Sequence, residues 1–197
     1  MTFLKKQSTA ICITVMVAIV FSFIGCSLSL TKQGNKIEEM FTVGVYRDTE
    51  SYVQPSIQSQ LDKSADAALG MITILNHYPQ LKLEANCLTE ARRDLLDAEE
   101  IDWKYVNYTH FYKSAKIIID LLDSGSVVTD GETVVTLTED DYEAFKSYAG
   151  TITGANGVIE KSDYNKKVTE YVRTAKSFPA NIFGIFADGP EYFQAEG

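Results

Sequence analysis

Two lysines, Lys5 and Lys6, open the chain, and an apolar run from Ala10 to Ile24 follows with only Thr14 and Ser22 as polar interruptions. That pattern is a charged start and an apolar segment of signal-peptide length, short for a comfortable membrane span of ~20 residues. From Asn35 onward the dominant period is helical. Ile37, Met40, Phe41, Gly44, Val45, Asp48 and Tyr52 predict a modest amphipathic helix that must end before Pro55. Pro55 suits the first turn of a second helix. There Ile57, Leu61, Ala65, Ala68, Leu69, Ile72 and Leu75 form the inward face, and Gln58, Gln60, Lys63 and Asp66 the outward one. Pro79 stops it at His77 and Tyr78. A third helix turns Leu88, Ala91, Leu95 and Ala98 inward.

The clearest stripe lies between Asp102 and Asp123. Tyr105, Tyr108, Tyr112, Ala115, Ile119 and Leu122 recur at spacings of three and four, with Lys104, Lys113, Lys116 and Asp120 off the stripe. The period then switches to two. Residues 124–138 alternate about Asp130-Gly131, which predicts a small β-hairpin that must either pack on the helices or stay loose. Thr138 to Asp141 reads as the capped start of another helix, carrying Tyr142, Phe145, Ala149 and Ile152. Gly150, Gly154 and Gly157 weaken that helix, so either it kinks there or another element approaches closely. Tyr164, Val168, Tyr171, Ala175 and Phe178 mark a last helix ending at Pro179. The pattern is all-α.

Composition narrows the function. The chain has 197 residues, 21.9 kDa and a formal charge of −9. Beyond Cys26 it holds 16 basic and 27 acidic side chains, net −11. That excess of acid excludes a nucleic-acid binder, which needs clustered Lys and Arg. It equally disfavours attachment to anionic lipid by charge alone.

The apolar run ends in Phe23-Ile24-Gly25-Cys26, which resembles the bacterial lipobox, with Phe23 in place of the usual leucine. By that resemblance residues 1–25 are a lipoprotein signal peptide and Cys26 is the lipidation site, carrying a diacylglycerol and starting the mature chain. The other reading is an uncleaved helix from Ala10 to Leu30. Either one anchors the protein to a membrane and exports its body. Cys12 leaves with the signal peptide, and Cys87 is expected to be a small core residue.

Catalytic and metal-ligating patterns are absent from the sequence. His77 and His110 lack partners at i+3 or i+4, and neither a paired-cysteine motif nor a phosphate-cradling loop occurs. No metal or cofactor is expected. The acids at Asp97, Glu99, Glu100 and Asp102, and at Glu139 to Asp141, are solvated charge near helix ends rather than a glycosidase pair. Trp103 and Phe111 fall off the tyrosine stripe and are a candidate partner surface. Aromatic rings beside acids also stack on sugar, so residues Trp103 to Tyr112 could serve a glycan- or peptide-binding module.

Towards the C-terminus the residues become specific. Tyr164-Asn165, Val168 and Tyr171 are followed by Phe178-Pro179-Ala180-Asn181, Gly184-Ile185-Phe186 and Tyr192-Phe193-Gln194-Ala195-Glu196. They resemble the closing pattern of the LemA family, a YN pair, an FP-x-N turn, a glycine–apolar–phenylalanine step and an aromatic–acidic tail. The family's second YN is Tyr171-Val172 here. Leu88 to Arg92 is similar to its T-E-A-R segment. In another register, Tyr78-Pro79-Gln80-Leu81-Lys82 resembles its YPxLK stretch, and 103–138 becomes largely an insertion.

The resemblance implies an elongated antiparallel helical bundle of about four helices over 37–197, joined by an anchor and linker at 26–36. It implies no catalytic residues. The motif itself reads as structural, with Phe178, Phe183 and Phe186 packing on the bundle and Asn165 bonding backbone at a helix kink. The resulting expectation is a non-enzymatic protein of the bacterial cell envelope with an envelope protein partner.

Overall fold

A computed structural model describes residues 2–47, 52–129, 133–178, 180–183 and 189–194. The first helix, α1 (Thr2–Thr42), changes character along its length. Ile11, Met16, Phe21, Ile24 and Leu28 are exposed despite being apolar. Further on, Leu30, Gly34, Ile37 and Phe41 are buried at spacings of four, three and four, the seam of a packed helix. Residues 26–36, expected to be an anchor and linker, are therefore helical throughout.

The chain turns at Gly44, with φ of +93°. A Cβ there would sit 2.3 Å from the Gln54 carbonyl oxygen, so only glycine fits. Strands β1 (Val45–Arg47) and β2 (Tyr52–Gln54) then pair antiparallel, Val45 opposite Gln54 and Arg47 opposite Tyr52. This corrects the expected helix over 37–52, whose Asp48 lies outside the described residues.

The Ser56 hydroxyl accepts a hydrogen bond from the Ser59 amide at 3.1 Å and caps α2 (Ile57–Leu75). Pro55 thus precedes the cap instead of occupying the first turn. The expected inward face is buried except Leu69, which is exposed, and Gln60 joins the buried side. A single 3₁₀ turn (Pro79–Leu81) leads to α3 (Lys82–Asp97), with Ala85, Leu88, Ala91 and Leu95 buried. Cys87 is exposed, not a core residue.

Helix α4 (Ile101–Leu121) buries Tyr108, Phe111, Ala115 and Ile118, with Leu122 just beyond it. The buried face is rotated from the expected stripe, since Tyr105, Tyr112 and Ile119 are only half-buried. Strands β3 (Ser126–Thr129) and β4 (Thr133–Thr136) form the expected hairpin, Ser126 opposite Thr136. Its turn residues Asp130 and Gly131 lie outside the described residues. Thr138 caps α5 (Glu139–Glu160) by accepting from the Asp141 amide at 3.2 Å. Gly150, Gly154 and Gly157 leave α5 unbroken, and nothing approaches within 4 Å of where their Cβ atoms would be. The close approach is elsewhere, at Gly70 of α2. Helices α6 (Tyr164–Ala175) and α7 (Ala180–Phe183) follow.

The chain divides into two compact units, residues 1–39 with 166–190, and residues 40–165 with 191–197. In the first, Leu30 and Ile37 of α1 and Val168 and Tyr171 of α6 are buried. The second is a four-helix ring, in which α2 packs on α3 and α5, and α4 packs on the same two. Short connections make sequential neighbours antiparallel. The end contacts agree: Tyr78, after α2, meets Asp141 at the start of α5, and Tyr142 of α5 donates to the Asp123 carbonyl after α4. The fold is an all-α bundle, as the sequence pattern predicts, with two small antiparallel strand pairs of which the second was expected.

Candidate functional site

The C-terminal segment becomes part of the ring through side chains of α6. The Asn165 amide group donates to the Phe193 carbonyl at 2.7 Å, and its oxygen accepts from the Phe193 N–H at 2.9 Å. One side chain thus satisfies both backbone groups of one residue, as a neighbouring β-strand would. The Tyr164 hydroxyl donates to the Glu191 carbonyl at 2.7 Å. Glu191 in turn accepts from the Ile101 amide at 3.1 Å, a carboxylate capping α4 from far along the chain.

The clamp seats the Phe193 ring in an aromatic cluster. Tyr105 meets it edge-on with centroids 5.2 Å apart, Phe41 lies 5.5 Å away, and Tyr108 lies 6.2 Å away. Phe41 also contacts Tyr164 at 5.5 Å. Such pairs add about 0.5–1.5 kcal/mol each beyond the area they bury.

Beside the cluster is a cleft of about 320 Å³, lined by Tyr105, Tyr108, Tyr112, Asn156, Glu160 and Phe193 among others. The Tyr108 hydroxyl donates to the Asn156 oxygen at 3.1 Å, and the Asn156 amide group donates to Glu160 at 2.8 Å. Burial pushes the Tyr108 phenol well above its ordinary range, and Tyr112 and Glu160 nearby push it the same way. Tyr108 is therefore a neutral donor. This arrangement can bind and orient a small polar group, but it sets no nucleophile beside a base.

A second hollow, of about 520 Å³, is lined by Asp94, Asp97, Glu99, Glu100, Trp103 and Asn107. Trp103 is 56% exposed there. Phe111, paired with it in the sequence reading as a partner surface, is 0% exposed and belongs to the core. Among the described residues no group of three His, Cys, Asp or Glu side chains could hold a metal ion.

Of the family-like motif, Tyr164, Asn165 and Phe193 converge, and Tyr192 is half-buried beside them. Phe178 does not pack on the bundle. It is 80% exposed, lying past the end of α6. Asn181 is exposed, its backbone N–H donating to the Ser177 carbonyl at 2.8 Å. Pro179, Gly184, Ile185, Phe186, Ala195 and Glu196 lie outside the described residues. Cys26 is half-buried within the uninterrupted α1. Sequence reasoning missed Phe41, Asn156 and Glu191. Only the burial pattern of α1 could have signalled the first, and the other two act across long separations.

Comparisons of the whole chain with protein-family models, with curated proteins and with solved structures find no match. The site is read from its own geometry.

Proposed function

We propose that the protein is a membrane-anchored, exported envelope protein of LemA type, non-enzymatic, serving as an interaction or scaffold module. The observation that carries this reading is α1. It holds an apolar stretch long enough to cross a membrane, none of it buried, and continues into positions that are buried. An anchor of that kind confines a partner-binding body to the membrane surface and raises its effective concentration there. The lipobox-like residues favour acylation of Cys26 over an uncleaved helix. Acyl anchoring needs more than one chain, which lipoprotein modification supplies. The convergence of Tyr164, Asn165 and Phe193 supports a structural role for the family-like motif.

In-cell crosslinking followed by mass spectrometry tests this reading. The expected result is a reproducible envelope protein captured through the bundle, with the mature chain starting at acylated Cys26. Cys26→Ala should abolish acylation and change the mass. Recovery of the protein from the soluble fraction, with an intact N-terminus, would refute the anchoring.

A second reading, a glycan- or peptide-binding module, is favoured by exposed Trp103 in its acid-lined hollow. Trp103 is the only tryptophan of the chain, so ligand-dependent quenching of its emission reports on that site directly. An unchanged spectrum through a titration with cell-wall fragments would argue against it.

A further inference from the structure

The basic side chains are distributed unevenly between the two units. Residues 1–39 and 166–190 hold eight lysines and arginines against four acids, net +4. Residues 40–165 and 191–197 hold ten against twenty-three, net −13. Loss of a signal peptide would remove only Lys5 and Lys6, so the first unit stays positive at +2.

Helix α6 and the turn after it carry most of this excess. Lys166, Arg173 and Lys176 are exposed and enter no ion pair among the described residues. At 100° per residue they fall within an arc of roughly 80°. Lys167 is committed to Glu170 at 2.8 Å. Cations near the C-terminal end of a helix, such as Arg173 and Lys176, are favoured by its dipole, but Lys166 and Lys167 stand in the first turn, where it opposes them and no acid accompanies them. The dipole therefore does not account for those two, and of them only Lys167 is paired on the helix, with Glu170. Just beyond, Phe178 and Ile182 are 80% and 45% exposed.

The same unit contains the apolar, unburied part of α1. We infer that the basic face of α6, with Phe178 and Ile182, is a contact surface for the anionic lipid of the membrane that holds the protein. Lys166, Arg173 and Lys176 meet headgroup phosphates, while Phe178 and Ile182 enter the boundary between headgroups and acyl chains. The inference rests on the anchoring proposed above. The other polyanion available is the −13 unit of a second copy. Lipid is favoured because an anchored chain meets it at every protein concentration, and because exposed apolar side chains next to cations suit a headgroup boundary. The same headgroups repel the acidic unit.

The test uses the full-length protein with Trp103→Phe and Phe178→Trp, which makes position 178 the sole tryptophan at a site already exposed. The probes are vesicles of phosphatidylcholine alone or mixed with phosphatidylglycerol, both with brominated acyl chains. Flotation with the vesicles reads anchoring, whichever form the anchor takes. Quenching of tryptophan emission reads lipid contact at position 178. Expected is flotation with both vesicle types, and quenching roughly threefold stronger on the anionic ones. That difference should vanish in ~1 M salt, where charges are screened beyond about 3 Å. It should vanish as well in the Lys166→Gln, Arg173→Gln, Lys176→Gln variant. Flotation with equal emission on both vesicle types would overturn the inference and leave the anchoring intact. Emission that follows protein density instead of lipid charge would assign the face to a second copy and also overturn it. Failure to float would refute the anchoring, and the lipid contact with it.

Discussion

Asn165 shows how much one side chain can hold. Its amide makes two hydrogen bonds to Phe193 that no apolar residue can replace. Asn165→Ala is expected to cost about 1–3 kcal/mol, read as a lower urea midpoint with unchanged slope. Asn165→Asp should cost nearly as much, because the carboxylate still accepts from the Phe193 N–H but cannot donate to its carbonyl. Tyr108 makes a prediction of another kind. Its folded-state pKa is raised above the ordinary 10.0, so in alkali the unfolded phenol loses its proton first. Its contribution to stability is complete below that value and is lost as pH rises above it. Urea unfolding followed from pH 8 upward should weaken past about pH 10, and Tyr108→Phe should flatten that limb. The same variant should be less stable at neutral pH by about 1–2 kcal/mol, since Asn156 loses its donor.

Glycines on two helices give opposite expectations. A Cβ at Gly70 of α2 would lie 2.4 Å from the Tyr148 ring, so Gly70→Ala forces that side chain aside. A loss of about 1–3 kcal/mol is expected, largely recovered when Tyr148→Ala is added. On α5, Gly154→Ala meets nothing within 4 Å and should stabilise by about 0.5–1 kcal/mol in thermal unfolding. Spacing alone offered either a kink or a close approach at the α5 glycines and neither occurs, because a stripe of small residues looks alike whether or not something covers it. Local signals were the legible ones. The cap at Thr138, most of the inward faces of α2 and α3 and the 126–136 hairpin all follow from neighbours in sequence, whereas the cap at Ser56 was hidden behind Pro55, which suits a first turn equally well. The start of the first hairpin was not read, because Gly44 fits an amphipathic helix until the Gln54 carbonyl approaches it. The face of α4 was misjudged by a fraction of a turn, since tyrosines at its margin keep their hydroxyls near water while Phe111 and Ile118 take the interior. As for the site, Tyr164 and Asn165 were visible as a motif, but their partners Glu191 and Phe193 were joined to them only by folding.

At the scale of the molecule, the acidic unit is a ring closed by a remote residue. Phe41 and Phe193 meet in one aromatic cluster although almost the whole bundle lies between them in sequence. Phe193→Ala should therefore cost about 3–5 kcal/mol, the usual loss for a buried phenylalanine, and expose Phe41 and Tyr108 to a hydrophobic dye. Glu191→Gln should cost much less, because its amide oxygen still accepts from Ile101. The clamp also has a meaning in time. Phe41 leaves the ribosome early and Phe193 late, so the cluster cannot close while the chain is still being made. On the export proposed above, such a clasp would hold the core open until the tail had followed the rest of the chain across the membrane.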